Sequence, residues 1–316
     1  MTEVVGLDIV IAEPMDAAGF DLLASVGTVV YRPDLWRHPP QLAAAVEQAT
    51  ALLVRNQTRV DARLIGPALR VVGRLGVGLD NLDLPALRQA GVTVVAARGA
   101  NAVAVAEYVL GYCWFVLRPL HRYQAQVRWD RDAATGSELF RQTLGIVGLG
   151  DIGRRLAVRA RALGMKVLGH DPFLGPYDMA WQDLGVEAVD LRRLLASSDF
   201  VSVHVPLTSA TEGLIGGPQL AWMKPTAHLI HTARGGVVDE DALYAVLSSG
   251  QLAGAALDVR RHEPARATDR FRALPNVMLT PHIAGVTRES AVRTATLVAE
   301  DVARVLRGES PRTAVG

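Results

Sequence analysis

The chain holds one cysteine, Cys113, so no intrachain disulfide can form. It sits in the apolar stretch 104–117, where a buried core thiol is the expectation and a catalytic one is not. Lysine is nearly as scarce. Only Lys166 and Lys224 stand among 33 basic residues, and in so arginine-rich a chain a single arginine carries little functional weight by itself. Opposite charges almost cancel, leaving +1, which removes the main electrostatic argument for a nucleic-acid or anionic-membrane partner. Half of the residues are hydrophobic, yet no uninterrupted apolar run is long enough to cross a bilayer. The opening MTEVVGLDIVIAEP carries acids and no basic segment, and it reads as a first strand rather than a secretory leader. Repeats and low-complexity tracts are missing as well. These features fit a cytoplasmic globular protein.

What is present is a glycine pattern almost halfway along. In LGIVGLGDIGRRLAVRARALGMKVLGHD, residues 144–171, an apolar run ends in Gly148-x-Gly150-x-x-Gly153, an amphipathic segment follows, and a second apolar run closes on Asp171. This is strand, turn, helix, strand. Gly148 permits the tight turn, Gly150 lets backbone N–H groups approach a pyrophosphate, and Gly153 lets the helix pack close to the strand. Asp171 is placed to accept hydrogen bonds from the adenosine ribose. The order of all these parts predicts a dinucleotide site. A phosphate on the ribose 2′-oxygen would face the Asp171 carboxylate, and Pro172, Phe173, Leu174 and Gly175 offer no compensating cation. The expected cofactor is therefore NAD rather than NADP.

At 316 residues, two domains are expected. Before the glycine pattern, apolar runs at 7–12, 28–31, 51–54, 71–75 and 92–96 alternate with helical patterns. After it, strands resume at 200–204, 228–231, 253–258 and 277–279, and helical periodicity runs over 288–306. The alternation predicts an α/β protein of two parallel sheets. We expect a substrate-binding domain of residues 1–100 plus 287–316, interrupted by an inserted Rossmann NAD-binding domain of residues 101–286. A long helix over 101–120 would carry the chain across, and a cleft would hold substrate against cofactor.

Ligands bind at the carboxyl edge of an open α/β sheet, so polar residues at strand ends matter. His170, His204, His231 with Arg234, Asp258 with Glu263, and His282 all lie there. Hydride transfer on a 2-hydroxy acid needs a cation for the carboxylate, a base for the hydroxyl proton, and a partner that tunes the base. Arg234, His282 and Glu263 supply those three types.

The strings HTARGGVVDEDAL, AGAALDVRRHEP and LTPHIAG, with GRLGVGLDNLDLPALRQAGVTVV and GANAVAVAEYVLG upstream, resemble signatures of the D-isomer-specific 2-hydroxyacid dehydrogenases. The resemblance covers nearly the whole chain and is strongest to the phosphoglycerate dehydrogenase branch. It implies a flavodoxin-like substrate domain around the NAD domain. It also implies that Arg234 binds the α-carboxylate, that His282 is the general acid/base, and that Glu263 orients His282 and raises its proton affinity. Backbone groups of Val77 and Gly78 would hold the substrate carboxylate, with Val77 also near the nicotinamide. Asp151 and Ile152 would meet the pyrophosphate, Val205 and Pro206 the adenine side, and Thr232, Ala233 and Asp258 the nicotinamide end. Ala284 and Gly285 would close the pocket.

Two departures stand out. His231 replaces the Asn often found three residues before the arginine, and Arg260-Arg261 replaces the usual aromatic after Asp-Val. Both bear on substrate identity, because they fall close to the expected cleft. Arg55, Arg74 and Arg131, the last in VRWDRD, occupy positions that relatives use for a second anionic group, the last across a dimer interface. The implied substrate is a small, dianionic 2-hydroxy or 2-keto acid of the 3-phosphoglycerate, sulfolactate or hydroxypyruvate/glyoxylate type. A homodimer built on the region 101–140, with Trp129, is expected, and no metal. The short tail after 306 predicts no added regulatory domain. A second reading, from another class, is an NAD(H)-sensing binding protein of the C-terminal binding protein corepressor type.

Overall fold

A computed structural model describes residues 8–118, 120–122, 131–132, 134–175 and 177–315. The chain divides into two compact units. One comprises the residues up to Asn101 and those from Val286 onward, and the other runs from Ala102 to Gly285.

The first unit begins with five parallel strands, β1 (Asp8–Ile11), β2 (Thr28–Tyr31), β3 (Ala51–Val54), β4 (Val71–Arg74) and β5 (Thr93–Ala96). They lie in the order β5-β4-β3-β1-β2, a doubly wound arrangement. Apart from Asp8, Arg74 and Thr93 at strand ends, the inner strands carry no polar side chain, because both faces are covered. Ile9, Ile11, Ala51, Leu53 and Val71 face one core with Leu23, while Val10, Leu52, Val54 and Val72 face the other with Leu42, Val46 and Leu87.

The second unit is built on seven parallel strands. They are β6 (Thr143–Val147), β7 (Lys166–His170), β8 (Glu187–Ala188), β9 (Phe200–Val203), β10 (His228–His231), β11 (Gly254–Leu257) and β12 (Val277–Leu279). Their order is β12-β11-β10-β9-β6-β7-β8, so the winding reverses between β6 and β9. Helices Ala102–Leu117 and Asp151–Ala162 cover one face, packing Val109, Cys113, Leu156 and Ala160 on Leu144, Ile146 and Phe200. Cys113 is fully enclosed, and burial pushes its thiol up, away from any thiolate chemistry at neutral pH.

The chain then returns to the first unit through helix Arg288–Leu306. Thr287 and Ser290 cap its start reciprocally, and Val298, Ala299 and Val302 join the core under β4. A final strand, β13 (Ala314–Val315), pairs antiparallel with β5.

Candidate active site

β6 leads into Gly148, whose φ is +94°. A Cβ there would sit 2.8 Å from the His204 carbonyl oxygen just past β9, so glycine lets the two strands approach at the switch point. Gly150 is the N-cap of helix Asp151–Ala162, and nothing lies within 4 Å of where its Cβ would be. The backbone beside Gly150 is thus open at the start of the helix, whose first N–H groups are those of Asp151 and Ile152. Gly153 packs against the Gly148 carbonyl, where any side chain would collide. Asp171, just past β7, accepts the Leu149 N–H at 2.8 Å and the Phe173 N–H at 3.0 Å, which fixes its carboxylate beside the glycine turn. Past β10, the buried Thr232 hydroxyl has no hydrogen-bond partner among the described residues. An open helix N-terminus, a fixed carboxylate and an unpaired buried hydroxyl along one sheet edge fit a dinucleotide. Val205 and Pro206 follow β9 on the same edge, and Ala233 separates Thr232 from Arg234.

The turn after β12 is wrapped around Asp258. This carboxylate is 2% exposed. Its Oδ1 accepts the Thr280 hydroxyl at 2.6 Å and the Ile283 N–H at 2.7 Å, its Oδ2 accepts the Ala284 N–H at 2.8 Å, and its carbonyl accepts the His282 N–H at 2.8 Å. Tyr108, on helix Ala102–Leu117, lies 2.6 Å from the Thr280 hydroxyl, which spends its own proton on Asp258, so Tyr108 donates. These bonds hold His282 at φ +57°, a left-handed conformation that an L-residue rarely adopts. Gly285 then closes the turn.

His282 is presented outward, its side chain 45% exposed, with Nδ1 2.7 Å from Glu263 Oε2. The other oxygen, Oε1, accepts the Arg260 N–H at 2.9 Å. Partial burial alone would raise the Glu263 carboxyl. The hydrogen bonds from His282 and Arg260 and the nearby charges of His282 and Arg234 outweigh it, and Glu263 titrates below its ordinary range. Arg234, three residues past β10, donates to the Ala233 carbonyl at 2.8 Å. Arg234, Glu263 and His282 thus follow β10, β11 and β12, with Glu263 in electrostatic reach of both Arg234 and His282. His204 and His231 beside them are neutral at neutral pH, because burial pushes His204 down to about 3 and His231 to about 4.

In the first unit, Arg55 and Arg74 sit at the carboxyl ends of β3 and β4. The Arg55 N–H is held by the buried Glu13 at 2.8 Å, and Glu13 also takes the Gln57 and Thr58 N–H groups. The Arg74 guanidinium donates to the Leu75 carbonyl at 3.1 Å and lies over Gly76, next to the exposed Val77 and half-buried Gly78. Arg131 is exposed, and Trp129 lies outside the described residues.

Sequence reasoning missed several participants. Thr280 was legible, two positions before His282 in the same string, but Tyr108 and Glu13 have no local signal. Arg260 was read as bordering the cleft; its side chain instead turns inward, onto Phe271, Glu240 and Asp269.

Residues 110–284 match the model of the D-isomer specific 2-hydroxyacid dehydrogenase family, NAD binding domain. The chain is 44% identical to the (S)-sulfolactate dehydrogenase of Chromohalobacter salexigens over 304 residues, covering 95% of this chain and 98% of that one. It is 38% identical to the D-3-phosphoglycerate dehydrogenase of Synechocystis, covering 97% of this chain but only 55% of that longer protein. Among solved structures, the TT0316 protein of Thermus thermophilus superposes with a TM-score of 0.88 at 32% identity, covering 98% and 100% of the two chains. A glyoxylate reductase from Paecilomyes thermophila gives 0.82 at 27%, covering 98% of each.

Proposed function

The chain belongs to the D-isomer-specific 2-hydroxyacid dehydrogenases, which are NAD-dependent oxidoreductases, and from that premise we propose that it interconverts a small dianionic 2-hydroxy acid and its 2-keto acid. A sulfolactate-type acid is the first choice, because the sulfolactate dehydrogenase relative matches along nearly its whole length. The observation that carries the reading is the 2.7 Å bond from His282 Nδ1 to Glu263, with Arg234 beside the pair.

In this reading Glu263 fixes the ring, leaving Nε2 to take the hydroxyl proton in oxidation or return it in reduction. Arg234 binds the α-carboxylate and steadies charge on the reacting oxygen. Bound NAD supplies the hydride acceptor or donor. Gly148, Gly150, Asp151, Ile152 and Gly153 would hold its pyrophosphate and Asp171 its ribose. Val205 and Pro206 would flank the adenine, and Thr232, Ala233, Asp258, Ala284, Gly285 and Val77 the nicotinamide end. Val77 and Gly78 are assigned to the substrate carboxylate, and Arg55, Arg74 and Arg131 to its second anion.

We place the enzyme in the cytoplasm, where NAD and reduced thiols coexist. No described helix is long and apolar enough to cross a membrane. A homodimer is supported by the apolar end of helix Ala102–Leu117, where Trp114 and Phe115 are 46% and 40% exposed. A monomer in sedimentation at micromolar concentration would remove the dimer. The dehydrogenase names of the relatives give no support to the NAD(H)-sensing alternative.

The test is NADH formation with sulfolactate, 3-phosphoglycerate, lactate and glycolate, each offered with NAD and NADP. A preference for the dianions in kcat/KM is expected, together with a raised KM for them in Arg55→Ala and Arg74→Ala. Equal use of lactate, or unchanged KM in both variants, would sink the dianion assignment.

A further inference from the structure

We propose that Arg260 is a positioning residue for the His282–Glu263 pair, acting through a clamp formed by Glu240, Asp269 and Phe271. The inference rests on the roles assigned above to those two residues, and it concerns a position where the family usually carries an aromatic.

Arg260 is a buried cation, its side chain 11% exposed. Two carboxylates grip two edges of its guanidinium. Nε and Nη2 meet the two oxygens of Glu240, each at 3.2 Å, while Nη1 and Nη2 meet Asp269 at 2.8 and 3.0 Å. Phe271 lies against the guanidinium, with its ring centroid 4.4 Å away. Nη1 faces Asp269 Oδ2 as a charge contact without hydrogen-bond geometry, while the bonds of Nε and Nη2 to Glu240 and Asp269 and the Phe271 ring fix the plane of the fork.

The clamp passes that order to the backbone. Glu240 Oε1 also accepts the Arg261 N–H at 2.7 Å, and the Arg260 N–H donates to Glu263 Oε1 at 2.9 Å. The peptides on either side of the Arg260 Cα are therefore each tied to a carboxylate. One of those carboxylates is the partner of His282. If the Arg260 peptide rotates, Glu263 loses the donor that holds Oε1 and its own orientation toward the imidazole. The peptide on the other side of that Cα, from the Arg260 carbonyl to the Arg261 nitrogen, rests on Gly235, where any Cβ would collide with it. It thus abuts the residue next to Arg234, so the two peptides that flank the Arg260 Cα meet the carboxylate-binding turn on one side and the base's partner on the other. The titratable and charged groups around the pair are Arg234 and His231 at the β10 end, Asp258 beneath the His282 turn, and Glu240 and Asp269 around Arg260.

The experiment is a double-mutant comparison on the full chain with saturating NAD, reading kcat and the acid limb of the kcat/KM pH profile. Arg260→Lys keeps the charge and loses the fork; Glu240→Gln keeps the side-chain length and loses the ion pair. Each is expected to lower kcat on the order of tenfold to a hundredfold. Each should move the acid limb to lower pH, as is expected of Glu263→Gln, and leave NADH affinity unchanged. In the Glu263→Gln background, neither should move the limb further. A limb that stays at its original pH in both variants, or moves by the same amount with and without Glu263, would overturn the proposal and leave Arg260 a stabilising residue only. Should Arg260→Lys fail to fold, Glu240→Gln carries the same test. A Glu263→Gln profile identical to the parent would instead overturn the assignment of the pair itself.

Discussion

His282 sits in a backbone conformation that costs an L-residue roughly 1–2 kcal/mol. The turn around Asp258 supplies four hydrogen bonds to residues 280–284 in return, so the imidazole is presented by the fold rather than by its own preference. His282→Ala should keep that turn and lose only the ring. A kcat lowered by about 10²–10⁴-fold with NADH affinity nearly intact is expected from stopped-flow kinetics and fluorescence titration. An unchanged kcat would remove His282 from its role. At this scale the sequence was legible where chemistry lies in short strings, as in LTPHIAG, where Thr280 and His282 share one turn. It was not legible for Arg260, whose partners Glu240 and Asp269 lie 20 and 9 positions away and meet it only through the fold.

Among elements, the β6–helix junction leaves no room for a side chain at Gly153. Gly153 faces the Gly148 carbonyl, so Gly153→Ala must push helix Asp151–Ala162 off the strand. The expected cost is about 1–3 kcal/mol with weakened NADH binding, read together by thermal melting and titration. A variant with the parent's melting point and affinity would show that the helix yields freely. The long strands were legible because burial on both faces makes them continuous apolar runs. β8 and β13 were not, since each has two residues and borrows its conformation from β7 or β5. Helix Ala102–Leu117 is shorter than the expected 101–120, because its apolar run ends at Leu117 and the sequence continues with Arg118 and Pro119, before which a helix usually stops.

For the molecule as a whole, buried histidines set the response to acid. His204, at about 3, and His228 and His231, at about 4, hold no proton in the folded chain at a pH where unfolded histidines, near 6.5, already do. The unfolded state therefore binds more protons between about 6.5 and 4, and stability falls as pH drops through that window. Urea midpoints should decline across it. His228 stacks on Phe200 and hydrogen-bonds Tyr112 at 3.0 Å, so His228→Phe with Tyr112→Phe should flatten the slope without opening a cavity. A midpoint independent of pH would contradict this account. The return of the chain from one unit to the other carries a further consequence, for biosynthesis. The second unit is a continuous stretch and holds all of its strands before residue 286 is added, whereas the first unit's core under β4 takes Val298, Ala299 and Val302 from helix Arg288–Leu306. On the ribosome, the half of the protein made first is completed last, and its sheet waits with one apolar face only partly covered while the later half folds.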